Sequence, residues 1–152
     1  MLGKALSAGV RALSQATFIY LLALLLGVNL NLHPLAIIGV LATVILGAML
    51  FSTFSLIIAC LVKTRERFMG IGQVLTMPLF FASNAIYPIE IMPGWLKVLA
   101  RINPLSYEVD LLRALMIGQS SAGGLLLDFG VLLLVSSGLI LIGARLYPRV
   151  VT

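Results

Sequence analysis

Few residues in this chain of 152 can do acid–base or coordination chemistry: one histidine, one cysteine and five carboxylates. His33 and Cys60 stand far apart, and no His-Glu-x-x-His or paired-cysteine spacing exists, so no metal site is expected. No Gly-x-Ser-x-Gly elbow offers a nucleophile. No phosphate-binding loop is present either, since Gly3-Lys4 has no glycine-rich loop before it and no hydroxyl residue after it. The chain is therefore expected to carry no catalytic residues, cofactor or metal of its own. His33 reads as a solvated or capping residue beside Pro34, and Cys60 as a small thiol in an apolar run. The carboxylates Glu90, Glu108, Asp110 and Asp128 and the cations Lys97, Arg101 and Arg113 gather in one stretch. Asp128 lies at the start of an apolar run, where an exposed or capped position is expected. With no charge in mid-span, ion-coupled transport is disfavoured, since such transporters bury ionisable relays.

The elements that hold this stretch are apolar. Hydrophobic residues make up 61% of the chain and charged residues 10%. A soluble domain is roughly 45–50% apolar and about 25% charged, and disorder needs the opposite composition. The chain reads as an all-α polytopic membrane protein. Four spans are expected, over residues 10–30, 34–62, 68–87 and 123–144, because each is long enough to cross about 30 Å of hydrocarbon and four strands cannot close a barrel. The run after Lys4 and Arg11 is too long for a signal peptide core and reads as a retained span. Gly39, Thr43, Gly47 and Ala48 form a small-residue packing face in the second span. The third carries Gln73, Thr76, Ser83 and Asn84, which must face partner helices or a polar pathway, and Pro78, which should kink it.

With four spans, Lys4, Arg11, Lys63, Arg65, Arg67, Arg145 and Arg149 share one side with Glu66. Lys97, Arg101 and Arg113 share the other with four carboxylates. The positive-inside rule then puts both termini in the cytoplasm. The net charge of +5 is scattered between apolar runs, so it reports topology and not a nucleic-acid partner.

The outer stretch over residues 93–117 reads as two short helices. Pro93 is placed to open the first, in which Trp95, Leu96, Val98, Leu99 and Ile102 form an apolar stripe and Lys97 and Arg101 a polar one. Asn103 is a plausible N-cap for the second, where Leu105, Val109, Leu112 and Met116 recur at helical spacing. Asp110 and Arg113 stand three apart. The pair either lies in the interface or dips back as a re-entrant hairpin, and Tyr87, Trp95 and Tyr107 suit the interface.

The run from Met77 to Leu115 resembles the signature of ABC-2 type transporter permeases, the drug, lipo-oligosaccharide and nodulation-type exporters. Pro78, Phe81, Ser83, Pro88, Pro93, Trp95, Asn103, Pro104, Tyr107, Asp110 and Arg113 match it in order and spacing, with Asn84 where glycine is usual. Gly3-Lys4-Ala-Leu is similar to the start of that family's third span. The resemblance implies a six-span permease of which this chain holds spans three to six, as a C-terminal portion or truncated form. It implies an outer helix pair between the last two spans, a dimer with a second permease copy, a separate ATP-binding-cassette ATPase subunit as power source, and a location in the cell (inner) membrane. These twelve residues, Asn84 included, are then structural or gate candidates. The alternative from the residues themselves is an integral membrane protein with a structural or assembly role.

Overall fold

A computed structural model describes residues 2–62, 64–118 and 124–146. Among them the regular elements are all helical. Six α-helices follow in order: α1 (Leu2–Leu25), α2 (Pro34–Leu61), α3 (Arg65–Phe81), α4 (Gly94–Ile102), α5 (Pro104–Ile117) and α6 (Leu125–Leu146), with a 3-10 turn at Ile89–Ile91 before α4. Lys63 and Arg149 of the charge-asymmetry reading, and residues 119–123 before α6, lie outside the described residues.

Among the described residues three helices are long and apolar enough to cross a membrane: Leu6–Leu25, Pro34–Leu61 and Leu125–Leu146. The first stops short of the expected residue 30. Gly27, at φ 71°, closes α1 with paired bonds from Gly27 N to Leu24 O (3.1 Å) and Val28 N to Ala23 O (3.1 Å). That is a Schellman ending, in which glycine takes the left-handed position without steric cost. Pro34 opens α2, and the exposed His33 caps it through its backbone carbonyl, which accepts from Ala36 N and Ile37 N. The 28 residues of α2 extend about 42 Å at ~1.5 Å each.

The third segment departs most from expectation. Its helix begins at Arg65 and ends at Phe81, and residues 82–88 turn instead of continuing to Tyr87. Pro78 therefore falls in the last turn and not in mid-helix. There it still withholds the N–H that the Val74 carbonyl would accept from, and the helix ends within one turn of it.

The packing centres on α2, which lies against α1, α5 and α6, while α5 also packs on α6. Leu50, Leu111 and Leu132, one from each of α2, α5 and α6, form the buried cluster. Phe51, Tyr107, Phe129, Val135 and Leu139 surround it. In α2 the small-residue face is buried at Gly47 and Thr43, whose hydroxyl donates to Gly39 O at 2.8 Å. By contrast α3 touches α2 lightly and buries no residue.

Candidate functional site

The α4–α5 helix pair begins shortly after α3 ends. The last carbonyls of a helix have no partner within it. Here Asn103, buried at the α4–α5 corner, donates from Nδ2 to Leu79 O at 2.6 Å. Its Oδ1 accepts from Leu105 N at 3.1 Å, the expected N-cap of α5, with Pro104 in the first turn. Tyr107 does the same for α4: its hydroxyl donates to Arg101 O at 2.6 Å. Two side chains thus satisfy the open ends of two helices and fix the corner between them.

The turn after α3 is tied to α5. Ser83 donates to Phe80 O at 2.6 Å and accepts from Ala85 N at 3.3 Å. Asn84 donates through Nδ2 to Asp110 Oδ1. Arg113 donates to Ala85 O at 3.2 Å. No residue other than glycine has positive φ among the described residues, so Asn84 is needed for its amide and not for a left-handed backbone. The prolines punctuate the path: Pro88 precedes the 3-10 turn, and the Pro93 carbonyl accepts from Leu96 N and Lys97 N at the start of α4.

Of the sequence-derived candidates, Ser83, Asn84, Asn103, Tyr107, Asp110 and Arg113 meet in this network. Phe81 and Trp95 stay outside it. Phe81 is exposed beside Phe80, edge to face at 6.2 Å, and Trp95 is 67% exposed. The apolar stripe of α4 points outward with it: Val98, Leu99 and Ile102 are exposed, and the buried residue of the helix is Ala100. The stripe is thus turned to the surroundings of the protein and not to its core. In α5 the buried residues are Ser106 and Leu111, off the expected stripe, because α2 and α6 pack on different sides of the helix.

Behind α4 is a cavity of about 520 Å³. Lys97 and Arg101 of α4, Glu90 of the 3-10 turn, Ser106 and Asp110 of α5 and Asp128 of α6 line it. Asp128 is 1% exposed, which corrects the exposed position, one of its two expected settings. Asp110 accepts from Asn84 and lies near the Arg113 charge.

On its opposite side α5 lies antiparallel against α2. A side chain placed at Gly39 would come within 2.9 Å of Leu115 Cδ1, and one at Gly47 would enter the Glu108 carboxyl group. Near the far end Asn31 N donates to Met116 O at 2.7 Å. So α5 starts level with the middle of α2 and ends at its N-terminal end. Glu108 was not singled out by spacing. The available signal was that it lies three residues before Leu111 and four before Leu112, within the apolar surface of α5.

One Glu108 carboxylate oxygen is fully enclosed without a hydrogen-bond partner. Enclosing a carboxylate without a partner is costly. Glu108→Gln removes the charge and keeps the shape, so it should raise the thermal unfolding temperature in detergent; a drop would show that the carboxylate stabilises the fold.

Comparison with known proteins decides the family. The profile described as ABC-2 type transporter matches residues 1–117. The chain belongs to the ABC-2 type transporter family. It is similar to the daunorubicin resistance ABC transporter permease protein of Streptomyces coeruleorubidus, 31% identical over 140 residues, covering 92% of this chain and 47% of that protein. Nodulation protein J of Rhizobium leguminosarum bv. viciae is 26% identical over 132 residues, 87% of this chain and 49% of its own length. The ycf38 protein of Cyanophora paradoxa is 34% identical over 103 residues, 66% of this chain and 34% of its own length. The ABC-2 chain thus spans about a third to a half of the length of these curated relatives. No solved structure matches it. Family membership and its apolar helices place the chain in a membrane.

Proposed function

We propose that this ABC-2 chain forms part of the translocation path of an exporter and has no catalysis of its own. A separate ATP-binding-cassette ATPase subunit supplies the power, and a second permease copy completes the path. The observation that carries this reading is the unit from α3 to α5, whose α5 is wedged between α2 and α6. Its outward surface is apolar and its inner surface is a charged cavity. A water-soluble hairpin would be arranged the other way round, so the inversion suits a hairpin immersed among lipid tails.

In this reading α1, α2, α3 and α6 make four crossings and α4–α5 re-enter from the outer side to about half depth. The level of Glu108 against Gly47 supports that depth. The twelve motif residues act as the frame of an outer gate, with the Asn84–Asp110 and Arg113–Ala85 bonds as its latch. The lightly packed α3, with Gln73 and Thr76 exposed, suits contact with the second copy. Both termini are cytoplasmic in the inner membrane, as the basic residues of α1, α3 and the end of α6 favour.

The test is co-purification of the tagged chain, expressed from its own locus, with a nucleotide-binding subunit. Its recovery supports the permease reading, and its absence under gentle extraction favours a structural or assembly role. Cysteines at positions 95 and 65 should label from outside and from the cytoplasm respectively; the reverse pattern would overturn the topology.

A further inference from the structure

A cavity of about 560 Å³ lies away from the hairpin, in the groove between α1, α2 and the first turn of α3. Arg11 and Gln15 of α1 and Ser52 and Ser55 of α2 line it, over a floor that includes Ala48 and Phe68. Among the described residues none of these four polar side chains has a hydrogen-bond or ion-pair partner. Arg11 lies within the apolar span Leu6–Leu25. A cation within a span without a counter-charge is costly, and it faces a polar partner or marks a site. The same end of the bundle carries Arg65 and Arg67 at the start of α3 and Arg145 in the last turn of α6, against Glu66. Small residues at positions 48, 52, 55 and 59 leave an open channel beside these donors.

We propose that this groove binds one anionic glycerophospholipid from the adjoining leaflet. The phosphate pairs with Arg11 and accepts from Gln15, Ser52 or Ser55, and one acyl chain runs along the alanine floor. The match of charge selects the occupant: the groove offers a fixed cation and neutral polar groups, and no carboxylate lines it. A guanidinium suits a phosphate because it presents two parallel donors, and a zwitterionic headgroup would bring a second cation into a groove that has no carboxylate to meet it. This inference does not depend on the transport reading, since the cavity is lined by α1, α2 and α3 alone.

The test is native mass spectrometry of the full chain released from detergent, titrated with phosphatidylglycerol and, separately, phosphatidylcholine. One phosphatidylglycerol should be retained in preference to phosphatidylcholine, and Arg11→Gln should lower its retention about fivefold. Arg11→Lys should keep much of the preference, because the charge remains. Ser52→Leu with Ser55→Leu should exclude both lipids by filling the channel while leaving Arg11 in place. Size-exclusion profiles report folding of each variant. Equal retention of the two lipids by the unaltered chain, no retained lipid at all, or wild-type retention by folded Arg11→Gln would each overturn the proposal.

Discussion

Gly47→Leu should leave the chain unable to seat α5, with loss of the monodisperse folded species in detergent. A side chain at this position would occupy the space of the Glu108 carboxyl group. Gly47 lies on the buried face of α2, so the added atoms cannot turn outward. Gly47→Ala is the milder form. Overpacking by one methyl costs about 1–3 kcal/mol when a neighbour must shift. Glu108 is flexible, but its alternatives are limited by Leu111 and by the opposite packing on α6. Glu108→Ala combined with Gly47→Ala should therefore recover much of the loss, a non-additivity that direct neighbours show. Thermal unfolding of the two single variants and the double variant measures it. Strictly additive shifts would mean that α5 does not rest on Gly47 through Glu108.

The second large effect is expected at Asp110. Asp110→Ala removes the acceptor of Asn84 and leaves the Arg113 guanidinium without its nearby negative charge. A hydrogen bond to a charged group contributes about 1.5–3 kcal/mol, and leaving a buried partner unsatisfied adds to the loss. The turn at residues 82–88 should come free of α5, and protease should cut it faster. Asp110→Asn keeps the shape and an acceptor and should cost less. Arg113→Ala releases the same turn at Ala85. If assembly, protease resistance and export all survive Asp110→Ala, the bond between this turn and α5 has no role in holding the hairpin.

Much of this arrangement was legible in the residues. The Asn103-Pro104 step announced the corner, because proline fits the first helical turn and asparagine caps it. The glycine and threonine face of α2 announced a close neighbour, although nothing in it said that the neighbour would be α5. What was not legible was which way the hairpin faces. The stripe of α4 fitted both an interfacial and a re-entrant pair, and spacing alone does not choose its direction. Trp95 and Ile102 turn outward, the arrangement that the proposed place among lipid requires. The end of α3 at Phe81 was also hidden. It depends on Asn103 satisfying Leu79 across 24 positions of chain, a contact that local pattern does not contain. Asp128 was misplaced for the same reason: its surroundings are supplied by the 3-10 turn, α4 and α5.

The cluster of Leu50, Leu111 and Leu132 has a consequence for biogenesis. The ribosome makes α2 first, α5 next and α6 last. When α5 leaves the exit tunnel, one wall of its slot exists and the other has not been synthesised. Leu111 cannot be enclosed until Leu132 follows it into the membrane. Between those two moments the hairpin is an unfinished guest at the insertion machinery, with Asp110, Glu108 and Arg113 in need of shelter. The last helix is therefore more than a further crossing. Its arrival closes the fold, and a stall in translation before residue 125 would leave a chain with all of its motif and no place to keep it.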